Sequence, residues 1–328
     1  MDNSMAFTSR WLFSFLIVAF GGCQQVVNVL PTSSWHQKFG WKAKDYFDDP
    51  KVVALCDAIE ANDLAEIDRL VAAGADVNAQ GKGKMTPLLW AFPGNHLERF
   101  KRLLEHGANP NVIVESDFGT RGQILSGTSI THMATETTFP GYFDAVFAHG
   151  GDPNLEQKTK ALGRGDTPIF TVVMSPVPNK KEKIQFLLEK GADINHLDGS
   201  GETAMMHAVG FSQFDLVLML LEAGADHMVY NKRGSARLTH MILVWKTHTD
   251  DVASWTPQLR ADYDAVVRWL EAHGESFSEA QKDLDRWSTW SRDTGEYKRK
   301  MAAEIAARKA REAEEREKRE STVDKADQ

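Results

Sequence analysis

Gly74-Ala-Asp-Val-Asn78 returns along the chain as Gly107-Ala-Asn-Pro-Asn111, Gly150-Gly-Asp-Pro-Asn154, Gly191-Ala-Asp-Ile-Asn195 and Gly224-Ala-Asp226, with a weaker copy at Gly274-Glu-Ser-Phe277. The glycines lie 33, 43, 41, 33 and 50 residues apart, so the shortest interval is the module and the longer ones carry insertions. The same apolar pattern precedes each glycine: Leu64, Ile67, Leu70 and Val71 before Gly74; Leu97, Phe100, Leu103 and Leu104 before Gly107; Phe214, Val217, Leu220 and Leu221 before Gly224. That spacing is one stripe of an α-helix. The glycine ends the helix because it takes the left-handed conformation without a steric penalty. His106, His149 and His273, just before it, are placed to hydrogen-bond the free carbonyls of the helix end.

A second helical segment opens the modules. Thr86-Pro-Leu-Leu-Trp-Ala91, Thr167-Pro-Ile-Phe170 and Thr203-Ala-Met-Met-His-Ala208 take equivalent places. Proline directly after threonine suits a helix start, where its missing N–H costs nothing.

A 33-residue module with Thr-Pro-Leu, a Leu-Leu helix and Gly-Ala-Asp-x-Asn resembles the ankyrin repeat. The resemblance covers residues 51–277 and implies an all-α solenoid of about six helix-turn-helix repeats with β-hairpin fingers, followed by a C-terminal helical extension. The Thr-Pro-Leu-His signature is never complete: Leu89, Phe170 and Met206 stand in the histidine place, and His132 is read as the one copy that keeps it, without the proline. Pro50-Lys-Val-Val-Ala-Leu55 reads as the N-terminal cap, and Glu271 marks an eroded last copy. In this arrangement residues 112–128 form an enlarged hairpin finger, and long loops on a rigid scaffold are often functional.

Residues 1–22 are expected to be a signal peptide: the apolar run 11–20 is too short to span a bilayer and is followed by small residues. Phe20-Gly-Gly-Cys23 resembles a bacterial lipobox, which implies lipid attachment at Cys23. Gln24 after it points to an outer-membrane lipoprotein facing the periplasm. Residues 23–50 read as a linker, 278–300 as a helical cap carrying Leu284, Trp287 and Trp290, and 301–328 as a charged helix that frays and reaches outward into a disordered end.

The 328 residues carry 38 Lys plus Arg against 46 Asp plus Glu, a net charge of −8, which argues against a nucleic-acid partner. Cys56 remains as a lone cysteine in an apolar context, read as a core residue. Glycine-rich phosphate loops, Gly-x-Ser-x-Gly elbows and His-Glu-x-x-His motifs do not occur. The reading is therefore a monomeric, non-enzymatic scaffold with no catalytic residues, metal or cofactor, which binds a protein through its concave face and fingers and meets the membrane only through its lipid anchor. Partner-binding candidates are the basic finger residues Lys82, Lys84, Arg121, Lys158, Arg164 and Arg233, as a strip for an acidic partner, and the aromatics Trp90, Phe92, Phe118 and Tyr230. Trp90 has core packing as an equal rival. A periplasmic immunity or inhibitor protein acting on a toxin, and a structural envelope tether, are the alternatives.

Overall fold

The computed structural model describes residues 34–119, 124–159, 165–231, 236–249 and 255–290, together with several positions between 299 and 314. Fourteen α-helices are present among them: α1 Trp35–Lys38, α2 Pro50–Ala61, α3 Leu64–Ala72, α4 Pro87–Ala91, α5 Leu97–Glu105, α6 Ile130–Glu136, α7 Tyr142–Ala148, α8 Pro168–Met174, α9 Lys180–Glu189, α10 Ala204–Gly210, α11 Phe214–Glu222, α12 Leu238–His248, α13 Pro257–Ala272 and α14 Phe277–Ser288. From α2 to α13 they form six hairpins, each with an inner and an outer helix. The inner helices α6, α8, α10 and α12 stack in order, and α14 packs on α12 as the inner helix of an unfinished seventh unit. Among the described residues no helix is long and apolar enough to cross a membrane.

Local chemistry sets these boundaries. Thr86 Oγ1 accepts from Leu89 N at 3.1 Å, Thr203 Oγ1 from Met206 N at 3.3 Å and Ser129 Oγ from His132 N at 3.3 Å, so each hydroxyl satisfies one orphan donor of its inner helix. At the outer-helix ends Gly74 adopts φ +87°, and Gly74 N and Ala75 N return to the carbonyls of Val71 and Leu70. His149 Nδ1 and His273 Nδ1 lie 2.8 and 2.7 Å from the carbonyls of Ala145 and Trp269, as the sequence suggests. His106 differs: its Nε2 lies 2.7 Å from Asp68 on the preceding hairpin.

One hydrogen-bonded device joins successive hairpins. Asn78 Nδ2 donates to Gly107 O at 2.9 Å while its Oδ1 accepts from Asn109 N at 2.7 Å. Asn111 repeats this on Gly150 O and Asp152 N, and Asn154 on Gly191 O and Asp193 N. Each Asn thus holds the turn of the next repeat, while Asp76, Asp152 and Asp193 cap their own turns two residues on. Asn154→Ala is expected to reduce stability by about 1 kcal/mol, because two modest, solvent-accessible bonds are lost. A urea midpoint equal to that of wild type would show that the hook contributes nothing.

Both ends of the stack differ from the sequence reading. Residues 34–47 lie within the segment read as a linker, yet His36, Trp41 and Phe47 are buried. His36 stacks on Trp90 at 4.4 Å, Trp41 lies 5.6 Å from Trp90, and Tyr46 lies 5.9 Å from both Trp90 and Phe118. The segment is an aromatic cap over the first two inner helices. At the other end Trp287 of α14 is buried and stacks on His240 at 4.7 Å, and Glu304 bonds both Arg286 and Trp287. The start of the charged tail therefore folds back on α14, where a purely solvated helix was expected; an ion pair and an indole N–H hold it.

Candidate functional site

The fingers lie side by side and are stitched through their backbones. Lys82 N donates to Tyr46 O at 3.0 Å, Glu115 N to Gly83 O at 2.9 Å, and Lys158 N to Gly127 O at 2.7 Å. The second finger is a hairpin: Phe118 and Ile124 exchange N–H···O bonds at 2.9 and 3.1 Å, and Val114 pairs with Gly127 and Thr128. The close approach at Gly127 requires glycine, since a Cβ there would lie 2.2 Å from Thr159 N at φ +92°. Loops that would be separate surface features thus become one edge, running from the aromatic cap to the third finger.

This edge sorts the candidate residues. Lys82 and Lys158 are exposed, and Lys84 pairs with Glu115 at 2.8 Å. Arg121, Arg164, Arg233 and Cys23 lie outside the described residues. The described lysines alternate with Glu115, Asp117 and Glu156, so among the described residues the fingers form no continuous basic strip.

The aromatic candidates require correction. Trp90 is wholly buried, and its Nε1 donates to Cys56 O at 3.1 Å. Phe118 is buried edge-on to Trp41, and Tyr230 is buried beneath the Arg237 guanidinium at 5.6 Å. Phe92 is half-buried against Phe100 and Tyr142 at 5.9 and 5.3 Å. The first three side chains serve packing, because a ring already covered by its own chain offers a partner no surface. Sequence periodicity could not reveal this, since the residues that cover Trp90 come from 54 to 44 positions upstream. The exposed large apolar side chains on the fingers are instead Leu125 and Leu197.

Histidines organise the bases of the third and fourth fingers. His132 Nδ1 lies 2.8 Å from Ser129 Oγ, and its Nε2 lies 2.9 Å from Leu155 O and 3.3 Å from Asp166 O. Carbonyls only accept, so Nε2 carries the hydrogen and Nδ1 accepts from the serine hydroxyl. Burial pulls the His132 pKa down to about 4, which keeps it neutral and structural near neutral pH. His196 Nε2 bonds Gly165 O at 2.8 Å, and His207 on α10 bonds Asp198 Oδ2 at 2.9 Å. Asp198 Oδ1 accepts from Ser200 N and Glu202 N at 2.8 and 2.9 Å, shaping the fourth finger. His240 occupies the corresponding place at the start of α12, a second histidine of this class that the sequence reading missed; Arg237 stands where threonine would have signalled the start.

Asp166 stands apart in this group. It is only 3% exposed. Its pKa is raised to about 6, chiefly by burial and also by Asp198, while His207 and His196 act in the opposite sense. A carboxyl whose folded pKa exceeds its ordinary 3.8 opposes folding when ionised. The penalty is absent below about pH 4, grows as pH rises, and is complete above about pH 6. Asp166→Asn is therefore expected to stabilise the fold at pH 7.5 by up to about 3 kcal/mol and to have little effect at pH 4. Urea titrations at the two pH values read this directly, and an equal effect at both would rule out the titration of Asp166 as its source. Among the described residues no group of three or more His, Cys, Asp or Glu side chains is arranged to hold a metal ion.

The family model for ankyrin repeats in many copies matches residues 55–104 and 169–221. An ankyrin repeat protein of Acanthamoeba polyphaga mimivirus is 32% identical over 94 residues, 28% of this chain and 56% of that one. The human ankyrin repeat and SOCS box protein 6 is 27% identical over 183 residues, 54% of this chain and 40% of that one. The chain thus spans about half, or less, of the length of these relatives. Among solved structures, the ankyrin repeat domain of Bcl-3 aligns with a TM-score of 0.45 and 22% identity, over 65% of this chain and 97% of that one. The recurring glycine turn, the stacked helical hairpins with their hydrogen-bonded fingers, and the family match agree on one conclusion: this chain contains ankyrin repeats and has the ankyrin-repeat solenoid fold.

Proposed function

We propose that the chain is a non-enzymatic scaffold that binds a protein partner through its inner-helix face and fingers. The observation that carries this reading is the finger edge itself. Cross-repeat backbone bonds hold the first three fingers in place while the exposed side chains Lys82, Leu125 and Lys158 project from them. Fixing loops before encounter reduces the conformational entropy that binding must remove, which favours extended protein surfaces over small ligands. Ankyrin repeats serve as protein-interaction modules, and that general property supports the same reading. Gentle cross-linking of the full chain in extract, followed by mass spectrometry, is expected to recover a saturable partner joined to finger residues. Cross-links confined to the outer helices would overturn the proposal.

The address belongs to the proposal as well. Cys23, after the apolar run and Gly21-Gly22, supports export and anchoring in a bacterial cell envelope by an N-terminal lipid, with the repeats facing the periplasm. A fatty-acid probe should label wild type and leave Cys23→Ser unlabelled. Equal labelling of both would exclude this attachment site.

A further inference from the structure

Opposite the fingers the stack has a second edge, formed by the turns that join each inner helix to its outer helix. This edge is also tied together across repeats. Arg99 bonds Ile59 O of α2 and Ala91 O of α4, Lys183 Nζ donates to Thr135 O of α6 at 3.3 Å, and Lys180 Nζ to Val173 O of α8 at 2.7 Å. Trp245 Nε1 of α12 donates to Ser212 Oγ, just beyond α10, at 3.0 Å. Three of the large apolar side chains left exposed among the described residues lie here. Phe139 is 48% exposed in the turn of hairpin three, Phe211 51% in the turn of hairpin five, and Val244 40% on α12, in the register of Gly210 that ends α10. The turn of hairpin four adds the exposed Pro176 and Pro178. One exposed phenylalanine calls for no explanation; a row of apolar side chains at one level of four successive hairpins marks a contact surface.

Charge does not select the occupant of this row. Lys180 and Lys183 are turned onto backbone carbonyls, Lys181 pairs with Asp215 at 3.1 Å, and the exposed Glu136, Glu182 and Lys246 are of both signs. The route of the chain does select it. The aromatic cap crosses the first two hairpins from one edge to the other. It starts at Ser34, whose hydroxyl donates to Glu60 in the last turn of α2, and passes His36, bonded to Trp90 O near the end of α4. It ends at Tyr46, whose carbonyl accepts from Lys82 N of the first finger. Ser34 therefore stands on the turn edge. Cys23 is 11 residues upstream, so it lies no farther from Ser34 than about 40 Å, the reach of a fully extended chain of that length.

We propose that the turn edge, from Phe139 to Val244, rests on the surface of a lipid bilayer, with its apolar side chains in the interface and the fingers turned away from it. The proposal rests on the lipid-anchor reading of Cys23 and adds to it an orientation: an anchored chain enters the stack at the edge that carries the apolar row. Interfacial binding grows with the apolar area buried, and a tethered chain needs little of it, because the tether keeps its effective concentration at the surface high. The opposite edge is left open to a protein partner.

The test supplies the anchor chemically. The full-length chain is coupled through Cys23 to a maleimide lipid in phosphatidylcholine vesicles; Cys56 is buried and does not compete. A benzophenone amino acid replaces Phe139, Phe211 or, on the second finger, Leu125, and adducts are identified by mass spectrometry after irradiation. Lipid adducts are expected from positions 139 and 211, and few or none from 125. Phe139→Asp should lower the lipid yield at position 211 about tenfold, the scale of one phenylalanine withdrawn from an apolar environment, whereas Leu125→Asp should leave it unchanged. Equal lipid yields at the three positions, none at 139 and 211, or adducts there to a second copy of the chain would overturn the proposal. Because the maleimide replaces acylation by the cell, a chain that the fatty-acid probe never labels still passes or fails this test, so the two readings fail separately.

Discussion

Arg99→Met is expected to lower folding stability by about 3 kcal/mol or more, although Arg99 touches no carboxylate and sits on an outer helix. Its side chain is buried and distributes its donors over backbone carbonyls: Nε to Ala91 at 3.2 Å, Nη1 to Ile59 at 2.9 Å and Nη2 to Pro93. Ile59 lies in the last turn of inner helix α2, and Ala91 ends inner helix α4. Helix C-termini carry unpaired carbonyls and partial negative charge. One guanidinium therefore satisfies the ends of two helices at the point where hairpins one and two meet. Methionine fills much of the volume but donates nothing; Ile59 O keeps the N–H of Asn62 at 3.0 Å, whereas the Ala91 and Pro93 carbonyls lose the guanidinium, and each stranded buried acceptor costs about 1–3 kcal/mol. Arg99→Lys should recover little, because a single ammonium cannot span three carbonyls fixed by different elements. Equilibrium urea unfolding measures both variants, and a loss under about 1 kcal/mol for methionine would mean the carbonyls find other donors.

Trp90→Ala should be at least as severe, about 3–5 kcal/mol, the range for emptying a large aromatic site in a core. Trp90 is the floor on which the N-terminal cap rests: His36 stacks on its ring and also bonds its carbonyl at 2.8 Å, and Trp41 and Tyr46 lie against it. The indole N–H also ties α4 to Cys56 O on α2. Removing the ring should loosen residues 34–47 before the rest of the solenoid. Amide exchange in that segment, compared with exchange in α10 and α11, separates this local effect from global loss. Uniform acceleration along the whole chain would show that the cap and the repeats unfold as one unit. Trp90→Phe retains the apolar ring and loses the N–H, so it should fall between wild type and alanine.

These two residues also mark the limit of what the sequence could convey. The repeating glycines, the helical stripe before them and the Thr-Pro starts are local signals, and each acts within one turn or one hairpin. Gly74 in the left-handed region and Thr86 bonding Leu89 N are where such signals place them. Module length, helix order and the hairpin at residues 112–128 were legible for the same reason. His240 was missed because Arg237 occupies the threonine place, which removes the cue used to find it.

Contacts between distant segments were a different matter. Trp90 lies on inner helix α4, and only the fold brings residues 36–46 over it. The basic character of the fingers was legible as composition, but the pairing of Lys84 with Glu115 of the neighbouring finger arises only in the fold. Asp166 looks in sequence like any polar residue ahead of a Thr-Pro start; the charges it feels are those that α10 and the fourth finger bring to it, His207, Asp198 and His196. Periodicity along the chain thus determined the repeating unit, because a helix and its caps are short-range structures. Which surface stays free and which charges lie together were decided by stacking, because burial and electrostatics depend on distance in space rather than along the chain.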